Sequence, residues 1–259
     1  ALGWLGGVLL YSWPVANSLA GHEPGLNILY ANVNTANTRY HSMLHLINER
    51  QADIVGLLEL NGQWGTALQA GNLGATHPYQ VTEFRDDNFG LGLYARLPLT
   101  DTAMLRSPGV GLGTIRARLN YHGRPVTVFL THPLPPSTDR QLHLREQPLR
   151  WLADLAAAET MPVVVMGDFN ATDGTAIFHE VLAHSGLRDS RQGFGWQPSW
   201  PEPVGEARNL PLAPLWPFLF RIPLDHVLVP PGWTVSSRTV GPPIGSDHLP
   251  VHVTVVPGS

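Results

Sequence analysis

The run Met161-Pro-Val-Val-Val-Met-Gly-Asp168-Phe-Asn170 is apolar until it halts on a glycine, a carboxylate and a carboxamide. Three successive valines fit a strand covered on both faces, and such strands belong to α/β architectures with helices packed over the sheet. Asp168 and Asn170, two residues apart, fall on one side of the strand's end. Both need polar partners once out of water, and the ends of buried strands are where α/β proteins keep their chemistry. An Asx turn closing the strand is the alternative use of the same residues.

Other strand-like runs finish in the same manner. Asn32 closes the run from Leu26, Glu59 closes the run from Ile54, and His132 follows Val126-Thr-Val-Phe-Leu-Thr. Asp225 lies in Ile222-Pro-Leu-Asp225-His226-Val-Leu-Val, and Gly245-Ser-Asp247-His248-Leu-Pro precedes a last apolar run. Each run delivers Asn, Glu, Asp or His near one end. The ordered set carries more weight than any member.

Between these runs the pattern alternates. Met43, Leu44, Leu46 and Ile47 recur at helical spacing within Tyr40 to Arg50, so the chain opens as β-α-β and brings Asn32 and Glu59 to neighbouring strand ends. From Tyr79 strands follow one another: Gln80 to Phe84, Gly90 to Tyr94, Gly113 to Leu119 and Val126 to Leu130, with His122-Gly-Arg-Pro as a hairpin turn. Thr138 to Glu159 reads as a helix that Pro148 should kink or begin, and Thr175 to His184 as a second. Gly193 to Pro223 holds seven prolines with Trp196, Trp200 and Trp216. Its aromatics are expected to bury against the core, the alternative being contact with a membrane or acyl chain. Leu224 to Val229, Trp233 to Arg238 and Pro250 to Val255 close the chain as strands.

At 259 residues the chain suffices for one large α/β domain. Absence of cysteine excludes disulfides, thiolate catalysis and cysteine-held zinc. All sixteen basic residues are arginine, and the net charge of −4 argues against holding a polyanion by bulk attraction, though not against a local basic groove. Residues 1–20 carry no charge. They read as the tail of a membrane anchor or an apolar arm, and the missing initiating Met suggests a fragment or processed form. Residues 1–22 are therefore set apart from a catalytic domain at 23–259.

With these residues in hand, the chain resembles the endonuclease/exonuclease/phosphatase superfamily related to deoxyribonuclease I. The likeness runs from about Leu26 to Val255, and Gly-Asp-Phe-Asn together with Ser-Asp-His is its specific signature. Within the superfamily the chain looks closest to a bacterial branch that carries a hydrophobic membrane anchor, which implies a place in the cell envelope. The fold implied is a four-layer α/β sandwich, two packed mixed sheets flanked by helices.

Oxygen ligands with few carboxylates suit Mg²⁺ or Mn²⁺. Glu59 is the first expected metal ligand, with Asn32 beside it and Asp247 as a further one. Asp168 is expected to orient and deprotonate water, Asn170 to donate to phosphate or to that water, and His248 to contact the phosphate. Adjacent strand residues face opposite ways, so Asp225, which the resemblance also implies, is a better partner for His248 than Asp247. His132 matches a family histidine that assists the leaving group. Asn88 stands where deoxyribonuclease I has a supporting glutamate, with Glu83 only a loose substitute, which turns His132 towards phosphate binding. His226, facing away from Asp225 on the same strand, is taken as structural, and the other histidines as ordinary. The implied activity is metal-dependent phosphodiester hydrolysis with DNA as leading substrate, Arg39, Arg116, Arg118, Arg140 and Arg145 being possible phosphate contacts. A lipid or sugar-phosphate ester is the runner-up and a silent binding module the third reading. No obligate protein partner is implied.

Overall fold

The computed structural model describes residues 25–136, 138–209, 215 and 220–258. The segment 1–22 and Trp216, on which two of the expectations rest, lie outside the described residues. No described helix is long and apolar enough to cross a membrane.

Two six-stranded sheets form the centre. The first contains β1 (Leu26–Asn32), β2 (Ile54–Leu58), β3 (Tyr79–Glu83), β4 (Leu91–Ala95), β11 (Thr234–Val240) and β12 (Val251–Val256), in the order β11-β12-β1-β2-β4-β3. The second contains β5 (Leu99–Arg106), β6 (Gly113–Tyr121), β7 (Arg124–Thr131), β8 (Val163–Asp168), β9 (Arg188–Asp189) and β10 (Asp225–Val229), in the order β5-β6-β7-β8-β10-β9. Each sheet has one parallel pair, β1 with β2 and β7 with β8, flanked by antiparallel neighbours. Helix α1 (Tyr40–Arg50) joins the first pair and α4 (Asp139–Ala158) the second. Parallel strands joined through a helix finish at the same end of their sheet. Asn32 and the β2 end therefore lie together, as do Asp168 and the β7 end.

Strand alternation sorts the side chains into layers. Ile28, Tyr30, Val164, Met166, Val227 and Val229 face the core between the sheets. Leu29, Ala31, Val55 and Leu57 face outward under α1, α2 (Gly62–Ala70) and α3 (Leu73–Thr76). Phe129, Val163, Val165 and Leu228 face outward under α4 and α5 (Ala176–Ser185). The result is helix, sheet, sheet, helix. Gly56 lets the sheets close: a Cβ there would stand 2.4 Å from Met166 Sδ and 3.0 Å from Leu130 Cδ1.

Several details depart from expectation. Pro148 sits inside one continuous helix and does not begin it. β5 and α2 were not anticipated: β5 is mostly exposed or half-buried, and α2 contains two glycines with few apolar residues. The hairpin falls as expected, with Tyr121 opposite Arg124 and positive φ at His122 and Gly123. Within Gly193 to Pro223, Trp196 is 44% exposed rather than buried, and Trp200 packs beside the strand ends described next.

Candidate active site

Parity places the polar strand ends. Asn32 continues the inward series of Ile28 and Tyr30, Asp168 that of Val164 and Met166, and Asp225 that of Val227 and Val229. Asp225 is directly opposite Asp168 in the antiparallel β8–β10 register. Glu59 breaks the rule. Alternation from Leu58 would send it outward, but a φ of 61° turns it back towards Asn32.

All eight expected residues converge on this edge. Asn32 Nδ2 donates to Glu59 Oε1 at 2.8 Å and approaches Asp168 Oδ2 at 3.4 Å. His248 Nε2 and His132 Nε2 stand 3.5 and 3.7 Å from the same Asp168 oxygen. His248 Nδ1 meets Asp225 Oδ2 at 2.8 Å. Asn170 N donates to Asp168 Oδ1 at 2.9 Å, and Asn170 Nδ2 to the Pro133 carbonyl at 3.0 Å. Asp247 accepts from Asn34 Nδ2 at 2.8 Å and from Trp200 Nε1 at 3.2 Å. Its charge is felt by Glu59.

Three of these partners were missed. Tyr30, fully buried between the sheets, donates its hydroxyl to Asp225 Oδ1 at 2.9 Å, where its place in a strand suggested only core. Asn34 and Trp200 hold Asp247, and the Trp200 ring lies 6.4 Å from that of His248. For Asn34 the signal was available in the polar turn after β1. His226 is turned outward: Nε2 bonds the Ala171 carbonyl at 2.8 Å and the ring packs 4.4 Å from Phe178.

Burial and neighbouring charge set the protonation pattern. Asp168, 2% exposed, is raised to about 7, chiefly by desolvation and against the pull of His248. Asp225 is equally buried, yet its bond to His248 and those from Ser199 and Tyr30 hold it below the usual carboxylate range. The two aspartates raise His248 to about 10 against desolvation. His132 is lowered to about 4 by burial and by the His248 charge. Glu83 is no substitute for the missing carboxylate behind it, being paired with Arg106 at 2.5 Å, and the Asp225 charge and the backbone of Asn88, which favour the protonated ring, do not outweigh burial.

Of the proposed phosphate-contacting arginines, Arg116 and Arg118 are tied to Glu159 and Asp101. The side chain of Arg140 lies outside the described ones. Arg145 is buried behind Asn170.

The donors suit a hard divalent cation. No described basic side chain pairs with Glu59, whose carboxyl is raised chiefly by desolvation, and Asn32 and Asp247 add oxygens beside it. A desolvated carboxylate without a cationic partner is what such an ion neutralises. Asp168, Asp225 and His248 also bring potential ligand atoms within 4.8 Å of one another. With His248 protonated, that cluster offers its carboxylates only.

Residues 26–248 match the profile of the Endonuclease/Exonuclease/phosphatase family. Among solved structures, D. rerio TDP2 complexed with single-strand DNA product superposes with a TM-score of 0.72 at 18% identity, over 89% of this chain and 98% of that one. The human Nocturnin catalytic domain with bound sulfate gives 0.67 at 18% identity over 90% and 95%. An endonuclease/exonuclease/phosphatase from Beutenbergia cavernae gives 0.68 at 18% identity over 91% and 72%. At such identities the likeness is one of fold. No curated protein sequence matches the chain.

Proposed function

The chain belongs to the endonuclease/exonuclease/phosphatase family, whose members are hydrolases of phosphoester bonds, and on that premise we propose that it is a divalent-cation-dependent phosphodiesterase acting by in-line attack of water. The observation that carries this reading is Asp168: a buried carboxylate raised to about 7, within 3.7 Å of two histidines and joined through Asn32 to Glu59. A carboxylate poised near neutral pH is suited to take a proton from water as the new P–O bond forms and the ester P–O bond breaks, the leaving oxygen departing as an alkoxide that solvent protonates. His248, kept protonated by Asp225, donates to a phosphate oxygen as charge builds there. His132 meets the phosphate as a neutral ring, and Asn170 has a second amide hydrogen left for it. Glu59, Asn32 and Asp247 would hold Mg²⁺ or Mn²⁺, which supplies Lewis acidity and neutralises phosphoryl charge.

DNA is the leading substrate, in keeping with the family and with the DNA product bound by TDP2. The engagement of Arg116 and Arg118 in ion pairs favours a second reading, a small lipid or sugar-phosphate ester, because those two arginines do not line a phosphate track. The apolar residues 1–20 motivate membrane association in a bacterial envelope, in line with the anchored branch; vesicle sedimentation of chains with and without residues 1–22 tests this.

The deciding assay is turnover of plasmid DNA, bis(p-nitrophenyl) phosphate and a p-nitrophenyl monoester with Mg²⁺, Mn²⁺ or EDTA, beside Asp168→Ala. Metal-dependent nicking lost in the variant supports the nuclease. Turnover of a small ester alone moves the substrate to the second reading. No turnover of any ester with either metal would overturn hydrolysis in favour of a binding role.

A further inference from the structure

A guanidinium stands behind the Asp168–Asn170 turn with a buried donor unmet among the described residues. Arg145, on α4, is 4% exposed. Its Nη1 donates to the Asn170 carbonyl at 2.8 Å. Nη2 is 3.6 Å from Glu146, beyond hydrogen-bond reach, and Nε is buried with no partner among the described residues. Glu146 is itself shared with Arg150 at 3.1 Å. Burial lowers the Arg145 pKa. Buried arginines ordinarily sit on a bidentate carboxylate, and one that holds a single carbonyl is a poor contribution to stability.

What that carbonyl belongs to gives the arrangement its sense. Asn170 has φ of 49°, in the left-handed region, and three hydrogen bonds keep it there. Its N–H reaches Asp168, its Nδ2 reaches the carbonyl of Pro133, next to His132, and its own carbonyl is held by Arg145. Only the last grip comes from outside the strand-end loops. We propose that Arg145 is a positioning residue: by holding the Asn170 carbonyl from the helical layer it fixes the carboxamide against Pro133 and towards the phosphate. This rests on the phosphodiesterase reading.

The test compares Arg145→Met, Arg145→Lys, Asn170→Ala and the Arg145→Met/Asn170→Ala double variant on bis(p-nitrophenyl) phosphate with Mn²⁺, alongside thermal melts. Arg145→Met is expected to lower kcat about 10–100-fold with KM little changed, while Tm holds or rises because a poorly satisfied buried charge has gone. Arg145→Lys should recover part of the loss, and the double variant should be no slower than Asn170→Ala alone. A kcat within twofold of wild type, a multiplicative loss in the double variant, or a kcat loss that merely follows a falling Tm would overturn the proposal. NMR supplies an arm that needs no turnover: the Asn170 side-chain amide resonances should move towards those of a free carboxamide in Arg145→Met, and unchanged resonances would also overturn it. If the wild-type protein hydrolyses nothing, the phosphodiesterase reading fails while the NMR arm still decides whether Arg145 positions Asn170.

Discussion

Asp168→Asn should make the metal-free protein more stable while removing its activity. The Asp168 carboxyl, usually near 3.8, is raised to about 7 in the fold. Below pH 4 the acid is protonated folded or unfolded and costs nothing. Between pH 4 and 7 the unfolded chain releases a proton that the native state keeps, so stability falls as pH rises, and above 7 the whole cost is present. A rise of about 3 pH units corresponds to about 4 kcal/mol as an upper bound, at about 1.4 kcal/mol per unit. The carboxamide returns part of this, since its NH₂ would face Asn32 Nδ2, 3.4 Å from the present oxygen, and His248 would lose a neighbouring anion. A net gain of about 1–2 kcal/mol is expected, or about 2–8 °C in Tm for a chain of this size. The assay is a thermal melt of both proteins in EDTA from pH 4.5 to 8.5. The Tm difference should grow up to about pH 7, level off above it, and shrink when Mg²⁺ or Mn²⁺ is added, while turnover falls about 10²–10⁴-fold. A variant less stable than wild type at pH 8, or a difference flat with pH, would refute the account of Asp168 as a strained acid.

Tyr30→Phe removes a donor to Asp225; urea denaturation should show a loss of about 1–2 kcal/mol, and the His248 pKa measured by NMR should change with it. Asp225→Asn should bring His248 down from about 10 by more than 2 pH units on the NMR scale, a smaller fall pointing to Asp168 as the dominant partner. Because His248 is raised above its usual 6.5, the stability it contributes is complete below that pH and lost as pH climbs through about 10. The cost of Asp225→Asn should therefore be largest near pH 6. His132, lowered to about 4, should show no ring titration by NMR between pH 5.5 and 8.5, and a midpoint near 7 would contradict the neutral assignment. Calorimetry with inorganic phosphate should detect binding with Mn²⁺ present and none in EDTA.

The parts of this molecule legible in its sequence are those governed by strand parity and by residue type. Asp168, Asn32, Asp225 and the outward turn of His226 all follow from counting by two along apolar runs. The layer arrangement follows from helices lying between parallel strands. Glu59 was found by type, but its orientation depends on a φ of 61° that no local pattern announces. Tyr30 was invisible because a strand tyrosine usually means core, and its polar end is used only across the gap to the other sheet. Trp200 was hidden for a related reason: its partner Asp247 is 47 residues away, and the loop's prolines gave no period from which to place it. β5 escaped because exposed edge strands lack the alternation that burial enforces.

Charge explains why the two aspartates, directly opposite one another, behave so differently. Glu59, Asp168, Asp225 and Asp247 share the edge with one protonated ring, His248, since His132 is held neutral. Asp225 binds that ring directly and accepts from the Tyr30 hydroxyl on its other oxygen, so it is stable as an anion. Asp168 has only a backbone N–H and looser contacts, and it carries the repulsion of its neighbours. An anionic phosphodiester entering such a cluster would meet further repulsion at short range, where the low dielectric enlarges it. Positive charge beside Glu59 would relieve both problems at once. It would offset the repulsion felt by a phosphodiester and lower the cost of ionising Asp168, so that the proposed base would become available in the state in which phosphate can bind.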